Sequence, residues 1–316
     1  MQQNGMTRRQ ALQTAAATAA LPLVTAQSCG TQQSSSPADL TIGIATQGFR
    51  NHTNRQLAEE LAREGINVVQ LFLTQTDSNY WKYNQIVDVS DMTPDRCKRI
   101  ADDYRSTGVE IHSIGVYGNL IHPDPEERRA VLGHFEAMMK IGNAMDVHTF
   151  ITESGHHYSD EPAPRVPYDF QEDIWYTMVA TANELAQIAK RHDATVLYEP
   201  MYRSFLSSAK RTRKFMEEVS SPHIRALLDP ANLLEHNDLE EMFNQLEPWI
   251  DCIHAKDRKY HVDKGVAAGK GSLDYEKFVT LAAKHTPNVP LIIEYVGPDD
   301  YKQAVAHLRN AIVQAG

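Results

Sequence analysis

From residue 41 to the C-terminus, short runs rich in β-branched residues alternate eight times with longer stretches of helical period, and this narrows the fold more than any other feature. The candidate strands are 41–46, 67–73, 109–116, 146–152, 194–199, 224–229, 250–255 and 290–295. Between and after them lie amphipathic segments at 53–64, 94–107, 124–144, 170–191, 207–219, 238–247, 273–285 and 299–314. Punctuation agrees: Asp124 stands where a helix cap belongs, with Pro125 in the first turn and Glu126 and Glu127 against the positive helix end, while Gly65 and Gly108 stop helices just before strands. Eight strands and eight helices predict an α/β protein of the (β/α)8 TIM barrel type. A doubly wound open sheet is disfavoured, because Gly43-Ile44-Ala45-Thr46-Gln47-Gly48 lacks the G-x-G-x-x-G order that cradles a dinucleotide.

Residues 1–37 fall outside this pattern. Arg8 and Arg9 precede an uncharged, Ala-rich run, and no acid occurs before Asp39, which is the charge layout of a twin-arginine export signal. Two processing sites compete: a cut after Val24-Thr25-Ala26, or lipidation of Cys29 ahead of a Ser- and Gln-rich tether. The expectation is therefore 1–37 as signal and tether and 38–316 as the barrel, in a protein exported to the periplasm and attached to a membrane, if at all, only through Cys29. The chain holds 31 Lys and Arg against 41 Asp and Glu, for a formal charge of -10, which argues against a nucleic-acid partner. With three cysteines in all, neither a disulfide framework nor a Cys-based zinc site is expected.

In a barrel of this type the chemistry sits at the C-terminal ends of the strands. Strands five to eight end in Glu199, Asp229, His254 and Glu294. Three carboxylates converging at one rim would repel one another unless a cation joins them. Three oxygen donors and one imidazole suit Mn2+, Mg2+ or Co2+, with Mn2+ the leading expectation and Zn2+ a further option. Asp229 and Glu199, each followed by proline, would also serve as helix caps.

Together with His254-Ala255-Lys256-Asp257, Gly269-Lys270-Gly271-Ser272-Leu273-Asp274-Tyr275 and Gly118-Asn119-Leu120, the quartet resembles the sugar phosphate isomerase/epimerase family of xylose-isomerase-like barrels within the AP endonuclease 2 superfamily. The resemblance runs from Leu40 to the C-terminus, and the ligand separations of 30, 25 and 40 residues allow one strand per ligand. It implies one divalent metal held by the quartet. Glu199 and Glu294 would act as acid and base on opposite faces of a sugar, through a metal-stabilised enediolate, in an isomerase or epimerase. Where the family's relatives often carry Asp-x-x-His after strand six, this chain reads Asp229-Pro230-Ala231-Asn232, and Asn232 would instead bond a substrate hydroxyl.

Further substrate contacts are expected from His112, Glu153, His156, Lys256, Asp257 and Arg258, and from Trp81 in the aromatic loop Tyr80-Trp81-Lys82-Tyr83. The expected partner is a small carbohydrate; barrels of this family often pair, so a homo-oligomer is also expected. Two alternatives stand beside the isomerase: a lyase eliminating the aglycone of 3-oxo-glycosides, and a sugar-binding lipoprotein without catalysis. Export favours glycosides over sugar phosphates, and the presence of both glutamates favours catalysis.

Overall fold

The structure, a computed structural model, describes residues 36–157 and 170–316. The twin-arginine stretch and Cys29 lie outside the described residues. In chain order the strands are β1 (Ile42–Ala45), β2 (Val68–Leu71), β3 (Glu110–Gly115), β4 (Thr149–Thr152), β5 (Thr195–Tyr198), β6 (Ile224–Leu228) and β7 (Ile250–Ala255). A small antiparallel pair follows, β8 (Asp257–Arg258) and β9 (Gly265–Val266), and then β10 (Leu291–Ile293). All except β8 and β9 close into one parallel barrel, in the order β1-β10-β7-β6-β5-β4-β3-β2.

The helices are α1 (Asn54–Arg63), α2 (Pro94–Arg105), α3 (Pro125–Met145), α4 (Glu172–Arg191), α5 (Ala209–Val219), the short α6 (Pro230–Leu233), α7 (Leu239–Leu246), α8 (Tyr275–His285) and α9 (Tyr301–Ala315). Their starts follow from side-chain chemistry. Thr53, Thr93, Asp124, Ser208, Asp238 and Asp274 each accept a hydrogen bond from a backbone N–H of the first turn, groups that otherwise have no partner. The apolar face of each helix packs on the strands, and the core is built from buried residues such as Ile44, Val69, Phe150, Leu197, Leu227 and Ile292.

Two register shifts break the alternation. Val69 pairs with Ile111 but Gln70 with Ser113, so His112 is an extra residue in β3; Ala226 pairs with Ile250 but Leu227 with Cys252, so Asp251 is extra in β7. A bulge re-aims the side chains around it. Gln70, the polar residue of β2, meets His254 across the barrel.

The β1–α1 and β10–α9 loops meet where the barrel closes. A Cβ on Gly48 would overlap the carbonyl oxygen of Val296, a backbone atom that cannot swing aside. Gly48→Ala is therefore expected to cost about 1–3 kcal/mol, the usual range for overpacking. Thermal unfolding checks it, and an unchanged midpoint would mean that the loops part freely.

Candidate metal centre

Four strands that are neighbours in the barrel deliver the four groups: Glu199 just after β5, Asp229 just after β6, His254 within β7 and Glu294 just after β10. One ligand atom from each lies within 4.8 Å of all the others, and all four residues are buried. Asp229 fills two roles at once. Its Oδ1 caps α6 by accepting from the Asn232 N–H at 3.1 Å, and its Oδ2 faces the cluster.

The neighbours fix each ligand. His254 Nε2 donates to Gln70 Oε1 at 2.7 Å, which aims Nδ1 at the carboxylates, 3.4 Å from Glu199, 3.6 Å from Asp229 and 3.6 Å from Glu294. Nδ1 has no hydrogen-bond partner although it is buried. A buried polar atom without a partner is costly, and one aimed at three carboxylates is placed for a cation. Glu199 is held at both oxygens, Oε1 accepting from Asn232 Nδ2 at 2.7 Å and Oε2 from the Tyr117 hydroxyl at 3.0 Å.

Lys256 completes the charge pattern. Its Nζ lies 2.8 Å from Asp229 Oδ2, 3.1 Å from Glu294 Oε2 and 3.7 Å from Glu199 Oε1, and 4.6 Å from the centre of the Tyr295 ring. Tyr295 holds that ring with a backbone φ of 60°, a left-handed conformation that costs a non-glycine residue energy and concentrates at functional sites. Once His254 is neutral, as a ligand must be, one ammonium set against three carboxylates leaves two negative charges, which a divalent cation cancels. The donor set therefore fits such an ion.

The titration of the groups follows from the same contacts. Burial pushes Asp229 up, but Lys256 and His254 outweigh it and hold the carboxyl at about 2. Burial lowers His254, yet Glu294, Glu199 and Asp229 overcome that and raise it to about 10. Burial raises Glu294, with Lys256 and His254 opposing. As a metal ligand, His254 must give up its proton, so cation binding is expected to release protons and to weaken as pH falls. Gln70→Leu should weaken metal affinity about 10–100-fold, the usual cost of losing the group that orients a ligating imidazole. Calorimetric titration with Mn2+ checks this, and an unchanged affinity would mean that Gln70 does not hold the ring.

The other residues singled out in the sequence divide. Lys256 stands in the cluster, and Glu153 sits at its edge, held by the Tyr83 hydroxyl at 2.6 Å. Asn232 binds Glu199, so its amide supports a ligand before it meets any substrate. The His156 N–H donates to Asn119 Oδ1, which ties the rim loop after β4 to the loop after β3. Trp81 is buried edge-on against Phe72 and Tyr117 and roofs the wall above β2 and β3, while Tyr83 beside it is the exposed ring.

The remaining three expected contacts are engaged elsewhere in the fold. His112, the extra residue of the β3 bulge, sits beside Asp251 near the start of β7, below the quartet; burial lowers its pKa, with Asp251 opposing. Asp257 Oδ1 accepts from the Arg258 and Leu273 N–H groups and so fastens the loop after β9. Arg258 is buried, with Nε donating to the Ala231 carbonyl at 2.8 Å and its guanidinium over the Tyr202 ring at 4.1 Å. Both tie the loops together.

Comparison with known proteins places this geometry. The family model described as xylose isomerase-like TIM barrel matches residues 58–311. No curated protein matches the sequence. Among solved structures, the 3-keto-D-glucoside 4-epimerase of E. coli superposes with a TM-score of 0.67 at 15% identity, covering 86% of this chain and 99% of that one. The D-psicose 3-epimerase of Clostridium cellulolyticum H10, solved with D-tagatose, gives 0.66 at 14% identity over 87% and 98%. The IolI protein, solved with a zinc atom, gives 0.66 at 14% identity over 87% and 98%. The closed parallel barrel and the matched residues agree, and the chain belongs to the family of xylose isomerase-like TIM barrels.

Proposed function

We propose that the protein is a divalent-metal carbohydrate isomerase or epimerase that removes a proton next to a carbonyl. The observation that carries this reading is the buried quartet with Lys256 beside it: three carboxylates, an imidazole and one ammonium, with two negative charges left for a cation. Glu199, Asp229, His254 and Glu294 would hold the ion, with Mn2+ the first choice for an oxygen-rich set and Zn2+, found in the IolI protein, also compatible. When bound, the cation supplies Lewis acidity at a chelated carbonyl, making the neighbouring C–H more acidic.

The chain's own residues do the rest. Glu199 and Glu294 stand on strands separated by β6 and β7, so they flank the site from two sides. One takes the proton and the other returns one from the opposite face, which inverts the carbon. Asn232 and Tyr117 hold Glu199 in a fixed orientation, so a proton-accepting oxygen is aimed before substrate arrives. Lys256 donates toward Glu294 and Asp229 and sits where a substrate hydroxyl or oxyanion would enter. The similar folds of a 3-keto-D-glucoside 4-epimerase and a D-psicose 3-epimerase support a small sugar as substrate. The export reading extends this to a periplasmic sugar, with the lipid anchor at Cys29 and pairing of barrels as parts of the same proposal.

Separating the products of a panel of free ketoses and 3-oxo-glucosides tests the reading. Conversion to an isomer or epimer with Mn2+, abolished by a chelator and restored by metal, is the expected result. Conversion that is indifferent to chelation would contradict it.

A further inference from the structure

Epimerisation needs one proton-transfer group on each face of the reacting carbon, and Glu199 and Glu294 supply both. The site nevertheless holds a third carboxyl. Thr152 and Tyr198 are partners in the parallel register of β4 and β5, so the residues that follow them, Glu153 and Glu199, stand side by side at the rim, roughly 4.8 Å apart in backbone. The Glu199 N–H donating to the Thr152 carbonyl at 2.8 Å fixes that spacing. Glu153 does not belong to the metal-ligand quartet. Its Oε2 accepts from Tyr83, whose ring lies 6.0 Å from that of Tyr117, the residue bound to Glu199. Glu153 is half-buried against this aromatic wall, which comes from the loops after β2 and β3. The charged groups it faces are Glu199, Glu294 and Lys256; burial and Glu199 raise its pKa to about 7.

We infer that Glu153, positioned by Tyr83, is a third acid/base residue of the site that protonates an oxygen leaving from the carbon β to the substrate carbonyl, giving the protein a β-elimination activity on 3-oxo-glycosides. This rests on the proton abstraction assigned to Glu199 and Glu294. The step balances without an oxidant or reductant. One of those glutamates takes the proton from C2, the C–H electron pair becomes the C1=C2 double bond, and the C1–O bond breaks. Its pair leaves on the aglycone oxygen, which takes the proton of Glu153. The products are an alcohol and a sugar enone, and water restores both carboxyls to their starting protonation. An epimerase already supplied with a proton-transfer group on each face has no use for a third carboxyl beside them, and neither has a passive binding site.

The test compares the metal-loaded wild type and Glu153→Gln in deuterated buffer, with methyl and 4-nitrophenyl 3-oxo-glucosides as substrates. Methoxide is a poor leaving group without a proton, whereas 4-nitrophenolate departs unaided. In the variant, methanol release should fall about 10²–10⁴-fold relative to deuterium entry at C2, the usual contribution of a general acid. Release of 4-nitrophenol should stay within about tenfold of the wild type, which also shows that the variant folds. Calorimetry should give the same Mn2+ affinity for both proteins. Equal losses on the two glycosides, no loss on either, or a Mn2+ affinity weakened more than about tenfold would each overturn the role of Glu153. Wild type that takes up deuterium at C2 without releasing an aglycone would overturn only this inference. Wild type that takes up none would overturn the proton abstraction beneath it.

Discussion

Glu294→Gln is expected to reduce turnover at least ~10³-fold while the barrel stays folded. Glu294 is buried, and its Oε2 accepts from Lys256 at 3.1 Å. Gln has nearly the same shape and keeps a carbonyl oxygen for that contact, so packing gives no reason for the fold to fail. What disappears is the carboxylate proposed to accept the proton. The substitution also removes one of the charges that attract the cation, so affinity should weaken, and the comparison belongs at saturating metal. Product formation followed by proton NMR, with thermal unfolding as the control, checks this. Wild-type turnover in the variant would show that Glu294 moves no proton.

His254→Ala should act on a different quantity. It removes the only nitrogen among the four ligands and leaves Gln70 without its partner, so Mn2+ affinity should fall by more than about 100-fold, beyond the usual cost of an outer partner. In the wild type, metal at about 100 times its Kd adds about 2.7 kcal/mol to stability. For a chain of this size that is about 4–5 °C in Tm, lost on chelation. The variant should melt at the same temperature with and without metal. Retention of one tightly bound ion per chain in His254→Ala would remove His254 from the ligand set.

The architecture was legible because a parallel barrel repeats one physical unit eight times. Strands buried on both faces read as short apolar runs and helices as amphipathic ones, so every observed barrel strand lies within three residues of its predicted limits. The four strand-end groups were legible for the same reason, since chain order and the barrel rule together place them at one rim. What stayed hidden depends on contacts across the barrel. His112 is the extra residue of the bulge in β3, and alternation cannot register an extra residue. Gln70 gave a signal that was available, a polar residue in an otherwise apolar strand, but its partner lies 184 residues away. Tyr117 and Tyr83 sit in loops whose paths the sequence does not specify. Asp257 and Arg258 follow the ligand histidine as charged residues and were expected at the substrate, yet they form β8 itself, paired with β9, and both are buried. Lys256 differs from them by one step along the chain, which turns its side chain into the cluster.

The most direct test of the central claim is proton NMR of the Mn2+-loaded protein in deuterated buffer, with a free ketose and a 3-oxo-glucoside followed in parallel. Deuterium should replace the proton on the carbon beside the carbonyl, only when metal is present and only while Glu199 and Glu294 are both intact. If the metal-loaded protein leaves that proton in place on both substrates, the assignment of the quartet as a proton-abstracting metal centre is contradicted.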